Sequence, residues 1–203
     1  MNHQKLTFVA IALFAIFVAA CSPAASPAAS QKTASSSASP MPLTIPAEIS
    51  VPGQEPSYRA YVKGVQLYEC KPNDQGQLAW LLNEPAAELF DDKGNSIGWH
   101  SGGPGGPTWE ANDQSKVTGD TARDKVTGKD KIARVTVDGK AIPWLRLPAK
   151  PGNGSGVFGS VQTIQRLSTT DGLAPVGGCD PAHQGNKRPV YYTATYYFYN
   201  VKP

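Results

Sequence analysis

The amino-acid sequence predicts an all-β fold, an antiparallel β-sandwich or β-barrel, as a single domain over residues 43–203 with one disulfide. Three observations carry this. Glycine (20) and proline (18) are abundant while only 17% of residues are charged, a balance that disfavours helical bundles and coiled coils and favours short strands joined by turns. No helix-length amphipathic stretch occurs after residue 41. Two long segments, Ala60–Cys70 and Val190–Tyr199, are instead rich in Val, Tyr and Thr and alternate with period two.

Residues 41–57 are proline-rich and extended, with Val51-Pro52-Gly53 as a turn. In Ala60–Cys70, alternation places Tyr61, Val65 and Leu67 on one face and Val62, Gln66, Tyr68 and Cys70 on the other. A turn at Lys71–Gly76 returns the chain as Leu78–Leu82, a hairpin. Glu84–Phe90 fits either one helical turn or a strand. A turn at Asp91–Asn95 leads to Ser96–Ser101. Gly102–Pro107 sustains neither regular element, because glycine is too free and proline lacks a donor. Thr108–Ala111 follows. Lys116–Val126 and Ile132–Val137 carry alternating β-branched residues, Asp138-Gly139 is a hairpin signal, and Ala141–Leu147 returns. Val157–Leu167 and Val190–Tyr199 are the last strands. In the latter Tyr191, Thr193, Thr195, Tyr197 and Tyr199 face one way, and Tyr192, Ala194, Tyr196 and Phe198 the other.

Residues 1–20 read as a lipoprotein signal peptide. Lys5 precedes an apolar run, Leu6–Ala20, which at helical rise spans roughly 22 Å against a bilayer core of ~30 Å. An export signal fits that length better than a permanent span. The run ends Val18-Ala19-Ala20-Cys21, which resembles the bacterial lipobox. That resemblance implies diacylglycerol on Cys21 and acylation of its amine, and two or more chains anchor a protein stably. Ser22 rather than Asp follows, which by the sorting rule of that class points to the outer membrane. Residues 21–42 are then the lipidated cysteine and a disordered tether. The stretch SPAASPAASQKTASSSASP has nothing large and apolar to repay the entropy of ordering it. The expected location is extracytoplasmic, with the membrane as one partner through Cys21.

Cys70 and Cys179 remain, and in an exported domain one disulfide between them is the simplest outcome. The alternatives are free thiols, or a metal site that adds His100 and His183. No close Cys pair supports the metal site, and the oxidising compartment favours the bridge. The net charge of +3 gives no case for nucleic-acid binding. Gly154–Gly159 matches G-x-G-x-x-G, but Ser160–Gln165 after it alternates like a strand. No Asp or Glu lies near residue 176 to take a ribose, so no cofactor is expected.

The segment richest in chemistry runs from Trp99-His100-Ser101 to Thr108-Trp109-Glu110-Ala111-Asn112-Asp113. Trp99, His100, Trp109 and Glu110 form a candidate binding set, since indoles stack on flat apolar or sugar surfaces. His100 with Glu110 or Asp113 is the candidate acid–base pair of a hydrolase. A purely structural role is the third possibility, with the indoles in the core and His100 and Glu110 holding the Gly/Pro loop. His183 falls in a loop and reads as solvated.

A set of motifs in order resembles the domain of unknown function 3455 family. They are Val51-Pro52-Gly53, Tyr58-Arg59-Ala60, Val65–Cys70, Gly106–Glu110, Ala141–Leu145, Ile164-Gln165-Arg166, Gly178-Cys179-Asp180 and Tyr196–Tyr199. They span residues 43–200. The Ser101–Gly105 insertion after His100 is longer than the short aromatic-Ala-Gly-Pro run usual there. The family comprises exported bacterial and fungal proteins and has no established activity. Some members carry a malate-dehydrogenase label, to which the glycine loop here lends no support. The resemblance implies fold and compartment, and supplies no catalytic residues. The expectations are therefore a lipid-anchored domain binding an envelope glycan, wall component or protein; a secreted hydrolase; or a structural envelope protein.

Overall fold

The computed structural model describes residues 44–200 apart from Val126 and Asn153. The expected signal peptide, Cys21 and the expected tether lie outside the described residues. After a 3-10 turn at Ala47–Ile49, nine strands follow: β1 Tyr58–Pro72, β2 Leu78–Phe90, β3 Ser96–Ser101, β4 Thr108–Ala111, β5 Lys116–Thr118, β6 Ala133–Val135, β7 Trp144–Pro148, β8 Val161–Asp171 and β9 Lys187–Asn200. They form one sheet in the order β5-β4-β3-β2-β1-β9-β8-β7-β6. All of its pairings are antiparallel.

The all-β expectation holds, and the sheet curls towards the barrel alternative. β6 is short and pairs only with Trp144, Leu145 and Arg146, which leaves the end of β7 without a neighbour. The chain just after β5 takes that place: Asp120 N donates to Pro148 O and Lys150 N to Thr118 O, both at 2.8 Å. Joining the two edges satisfies backbone groups that an open sheet would leave exposed.

Glu84–Phe90, open between helix and strand in the sequence, continues β2 and pairs with β1 past a bulge at Leu67/Tyr68. Pairing on both sides overrides the helical propensity of the Ala and Glu residues. The strand expected over Lys116–Val126 stops at Thr118, where the chain leaves the sheet edge. The strand expected from Val157 begins at Val161, because Val157 and Phe158 belong to a turn. The Asp138-Gly139 signal does lie between paired strands β6 and β7, in a loop longer than a two-residue hairpin.

The alternation of β1 and β9 is realised in burial. Val62, Gln66, Tyr68 and Cys70 are buried, as are Tyr192, Ala194, Tyr196 and Phe198; on the opposite face of β9 Tyr191 is exposed, while Thr195 and Tyr199 are buried as well. The interior holds Trp109, Tyr196, Phe198 and Phe158. Burying each such side chain is worth ~1.5–3 kcal/mol relative to exposure. A second cluster of Ile49, Trp144 and Leu167 lies on the outer side, under the N-terminal segment. That segment is fastened by Gln165 Nε2 donating to Ile49 O at 2.7 Å and Arg146 Nη1 donating to Ser50 O at 2.7 Å.

The glycine motif makes the stopper of one barrel end. Phe158 is fully buried, with its ring centroid 4.5 Å from that of Phe198 and 5.8 Å from that of Tyr58. Gly154 and Gly156, at φ +77° and +69°, supply the left-handed conformations that turn the chain inward. Asp113, in the β4–β5 turn, holds this loop. Its Oδ1 accepts from Ser115 Oγ (2.5 Å) and N (2.9 Å), and its Oδ2 accepts from Val157 N (3.0 Å).

Cys70 and Cys179 are joined, closing a sequence separation of 109. The bridge pins the loop between β8 and β9 to the end of β1. The same loop is held by Trp80 Nε1 donating to Gly177 O at 2.8 Å. The disulfide takes both thiols of the alternative metal set.

Gly64 faces the interior opposite Ala87 of β2 and Tyr192 of β9. A Cβ there would fall within the van der Waals envelope of the Ala86 carbonyl oxygen and Ala87. Gly64→Ala is therefore expected to destabilise the domain by about 2 kcal/mol, the range of an overpacked core. The check is the midpoint of urea unfolding. An unchanged midpoint would mean that the two strands can separate at no cost.

Candidate functional site

The pleat divides the predicted site. Trp99 lies opposite Glu110, and His100 opposite Trp109, across the β3–β4 pair. Neighbouring residues of a strand point to opposite faces, so Trp99 and Glu110 are outside and His100 and Trp109 inside. Trp99 is 58% exposed. Glu110 is bound outside by Lys116, Nζ to Oε2 3.0 Å. Trp109 and His100 are 1% and 3% exposed. The four residues of the binding set form two pairs back to back, and no single surface gathers them.

His100 stacks on Trp109 with centroids 4.2 Å apart and planes 5° from parallel, and Tyr196 meets both rings edge-on. Its Nδ1 lies 3.0 Å from the Thr108 carbonyl oxygen, which only accepts, so Nδ1 carries the proton. Its Nε2 is then the acceptor for the Tyr196 hydroxyl at 3.3 Å. Burial drives the imidazole down to about 3; the bond to Thr108 opposes this and the positive charge of Arg166 adds to it. Burial raises the Tyr196 hydroxyl, with Arg166 acting against it.

This geometry does not assemble the acid–base pair. Both nitrogens of His100 are engaged, and Glu110 projects from the other face of the sheet. Asp113 sits at the Phe158 end, where hydrogen bonds from the Ser115 side chain, the Ser115 backbone and Val157 hold its carboxyl below the usual range. His183 is in the β8–β9 loop with Nδ1 2.7 Å from Asp180 Oδ1. Among the described residues no group of three or more His, Cys, Asp or Glu side chains could hold a metal ion.

The chemistry gathers elsewhere. At the barrel end opposite Phe158 a cleft of about 300 Å³ opens between the Gly102–Pro107 loop, the Leu82–Pro85 stretch of β2 and strands β6–β8. His100, Trp109 and Tyr196 contribute to its lining, together with Gln66, Arg166 and Leu145. The topology explains the gathering. β9 lies between β1 and β8, so Arg166 pairs with Tyr196 across one edge of β9, while Gln66 pairs with Val190 across the other. Gln66 is 2% exposed.

Gln66 and Arg166 were not among the predicted site residues, although each left a signal. Gln66 shares the face of Val62, Tyr68 and Cys70, and Arg166 follows Ile164 at period two. A polar or charged side chain on a core-facing position requires a reason.

Fold and cleft define the class: a disulfide-clasped, curled antiparallel β-domain, stoppered at one end and recessed at the other. The chain belongs to the family described as protein of unknown function (DUF3455), whose model matches residues 51–200. Comparison with curated proteins finds no match, and neither does comparison with solved structures.

Proposed function

We propose that this protein is a lipid-anchored, extracytoplasmic binding module that takes a small ligand of the cell envelope into the cleft at the open end of its barrel. The observation that carries the reading is the cleft. It is a recess in the mouth of a β-barrel, where ligand sites favour an apolar lining with a few inward polar groups. The apolar run Leu6–Ala20, the Val18–Cys21 motif and the Ser/Ala/Pro tether support the compartment. The hydrolase reading is not favoured, because the geometry separates His100 from Glu110 and Asp113.

Gly103 lines the cleft, and a Cβ on it would meet nothing within 4 Å. Gly103→Trp should therefore fill the mouth without disturbing the fold. The test exposes purified wild type and Gly103→Trp to a small-molecule extract of the envelope and identifies retained compounds by mass spectrometry. At least one compound is expected on the wild type and absent from the variant. Equal retention by both proteins, or none by either, would remove the cleft as a binding site. In parallel, labelled palmitate should mark the wild type and not Cys21→Ala; label on both, or on neither, would remove the anchor.

A further inference from the structure

We infer that the cleft is selective for a small monocarboxylate, whose carboxylate would sit on the Arg166 guanidinium and the Gln66 carboxamide and whose apolar body would lie along Leu145, Leu147 and Trp109. This rests on the reading of the cleft as a ligand site and names the ligand class.

The first support is an unanswered charge. A guanidinium has five N–H donors in a planar fork. Arg166 directs Nε and Nη2 to the Pro143 carbonyl oxygen, at 3.2 and 2.8 Å. Among the described residues no carboxylate forms an ion pair with it. The other arginine of the cleft, Arg134, is neutralised by Asp130 at 2.5 Å. Arg166 is thus a half-buried cation, anchored through one edge of its fork, with the Tyr196 hydroxyl as a further neighbour, and lining a recess. Its charge is felt by His100, Tyr68, Tyr192 and Tyr196 around it. Half-buried cations without a counter-charge are costly, and an anion entering the cleft would remove that cost.

The second support is independent of charge. The Gln66 carboxamide is 2% exposed and lines the cleft, yet makes no side-chain hydrogen bond with any described residue. Among the described residues the side-chain polar atoms sealed from solvent without a partner are Trp109 Nε1 and Tyr192 Oη; the polar atoms of Gln66 are instead open to the cleft, free to meet a ligand there. Its NH2 group can donate to a second carboxylate oxygen or to a substituent of the ligand.

Size and shape narrow the class. The cleft of about 300 Å³ lies at the small end of the range for ligand pockets, so a small molecule suits it. Carboxylate rather than phosphate suits it. The remaining donors of Arg166 suit a two-oxygen anion of either kind, so the choice rests on charge and shape. Glu84 at the rim opposes a second negative charge, and the apolar side chains need an organic body to cover them.

The test titrates 15N-labelled, detergent-solubilised full-length protein with acetate, butyrate and benzoate, and separately with their uncharged amides, following the side-chain signals of Arg166 and Gln66. At least one carboxylate is expected to shift both signals and to bind about tenfold more tightly than its amide, the worth of one charge-assisted hydrogen bond. Arg166→Gln should abolish that preference. Gly103→Trp, which leaves Arg166 in place, should abolish binding of both series, so the result does not depend on how well the arginine variant folds. Amides that bind as well as carboxylates would overturn the anion assignment while leaving the cleft a ligand site. Carboxylates that leave both signals unmoved at millimolar concentration would overturn it too, and the envelope-extract experiment then decides the cleft separately.

Discussion

Replacing Cys70 with Ala together with Cys179 with Ala is expected to lower the free energy of unfolding by about 4 kcal/mol. The bridge closes a separation of 109 residues, so its main effect is on the unfolded chain, which loses much of its freedom when the ends of so long a loop are tied. Cys70 is fully buried, and its backbone is already committed. Its N–H donates to Asn186 O at 2.9 Å, and its carbonyl accepts from Gly185 N at 2.8 Å. The loop therefore keeps backbone anchors without the sulfurs, and the folded domain should survive, weakened. Urea unfolding of the oxidised wild type and the double variant measures the difference. The dependence on denaturant should steepen in the variant, because an unlinked chain exposes more surface when it unfolds. A loss below about 1 kcal/mol would mean that the unfolded chain is already compact around this loop.

The second large effect is a loss of stability with mild acid that is traceable to His100. Its ordinary value of 6.5 falls to about 3 in the folded protein, chiefly by burial. The folded state therefore refuses a proton that the unfolded state accepts. Above pH 6.5 the imidazole is neutral in both states and contributes no slope. As pH falls below 6.5 the unfolded chain is protonated first, and stability declines by up to about 1.4 kcal/mol per pH unit until the folded value is reached. Between about pH 6.5 and pH 5 this amounts to roughly 2 kcal/mol. The carboxyls of Asp91, Asp113, Asp120, Asp130 and Asp180 are all held below 3.8. Their stabilisation is lost only as pH falls below that value, outside this window. His100→Gln removes the titrating group and should flatten the profile between pH 5 and 6.5, whatever its stability at pH 7. A profile of the same slope in the variant would show that other groups carry it.

Both effects bear on what could be read before folding. The bridge was legible because, with Cys21 set aside as the expected lipidation site, two cysteines remained, and the redox chemistry expected of an exported domain leaves few alternatives. The inward faces of β1 and β9 were legible because period-two alternation is a property of consecutive residues. The bulge that carries β2 past Glu84 was not, since propensity is ambiguous there and pairing on both sides decides. The end of β5 at Thr118 was equally hidden, because β-branched residues continue beyond it.

The candidate site was legible only in part. His100, Trp99, Trp109 and Glu110 were picked out by residue type and closeness in sequence, yet the pleat sends them to opposite faces. The groups that do converge come from strands far apart in the chain: Gln66 from β1, His100 from β3, Arg166 from β8 and Tyr196 from β9.

The sequence by itself determined strand content, the inward faces of the longest strands and the available disulfide. These follow from local sterics, residue periodicity and the count of thiols. Only the tertiary structure decided that the sheet curls until the chain after β5 meets the end of β7, that His100 is neutral and enclosed, and that Arg166 and Gln66 share one recess. Those outcomes depend on strand order and register, which arise from long-range pairing and carry no signature in neighbouring residues.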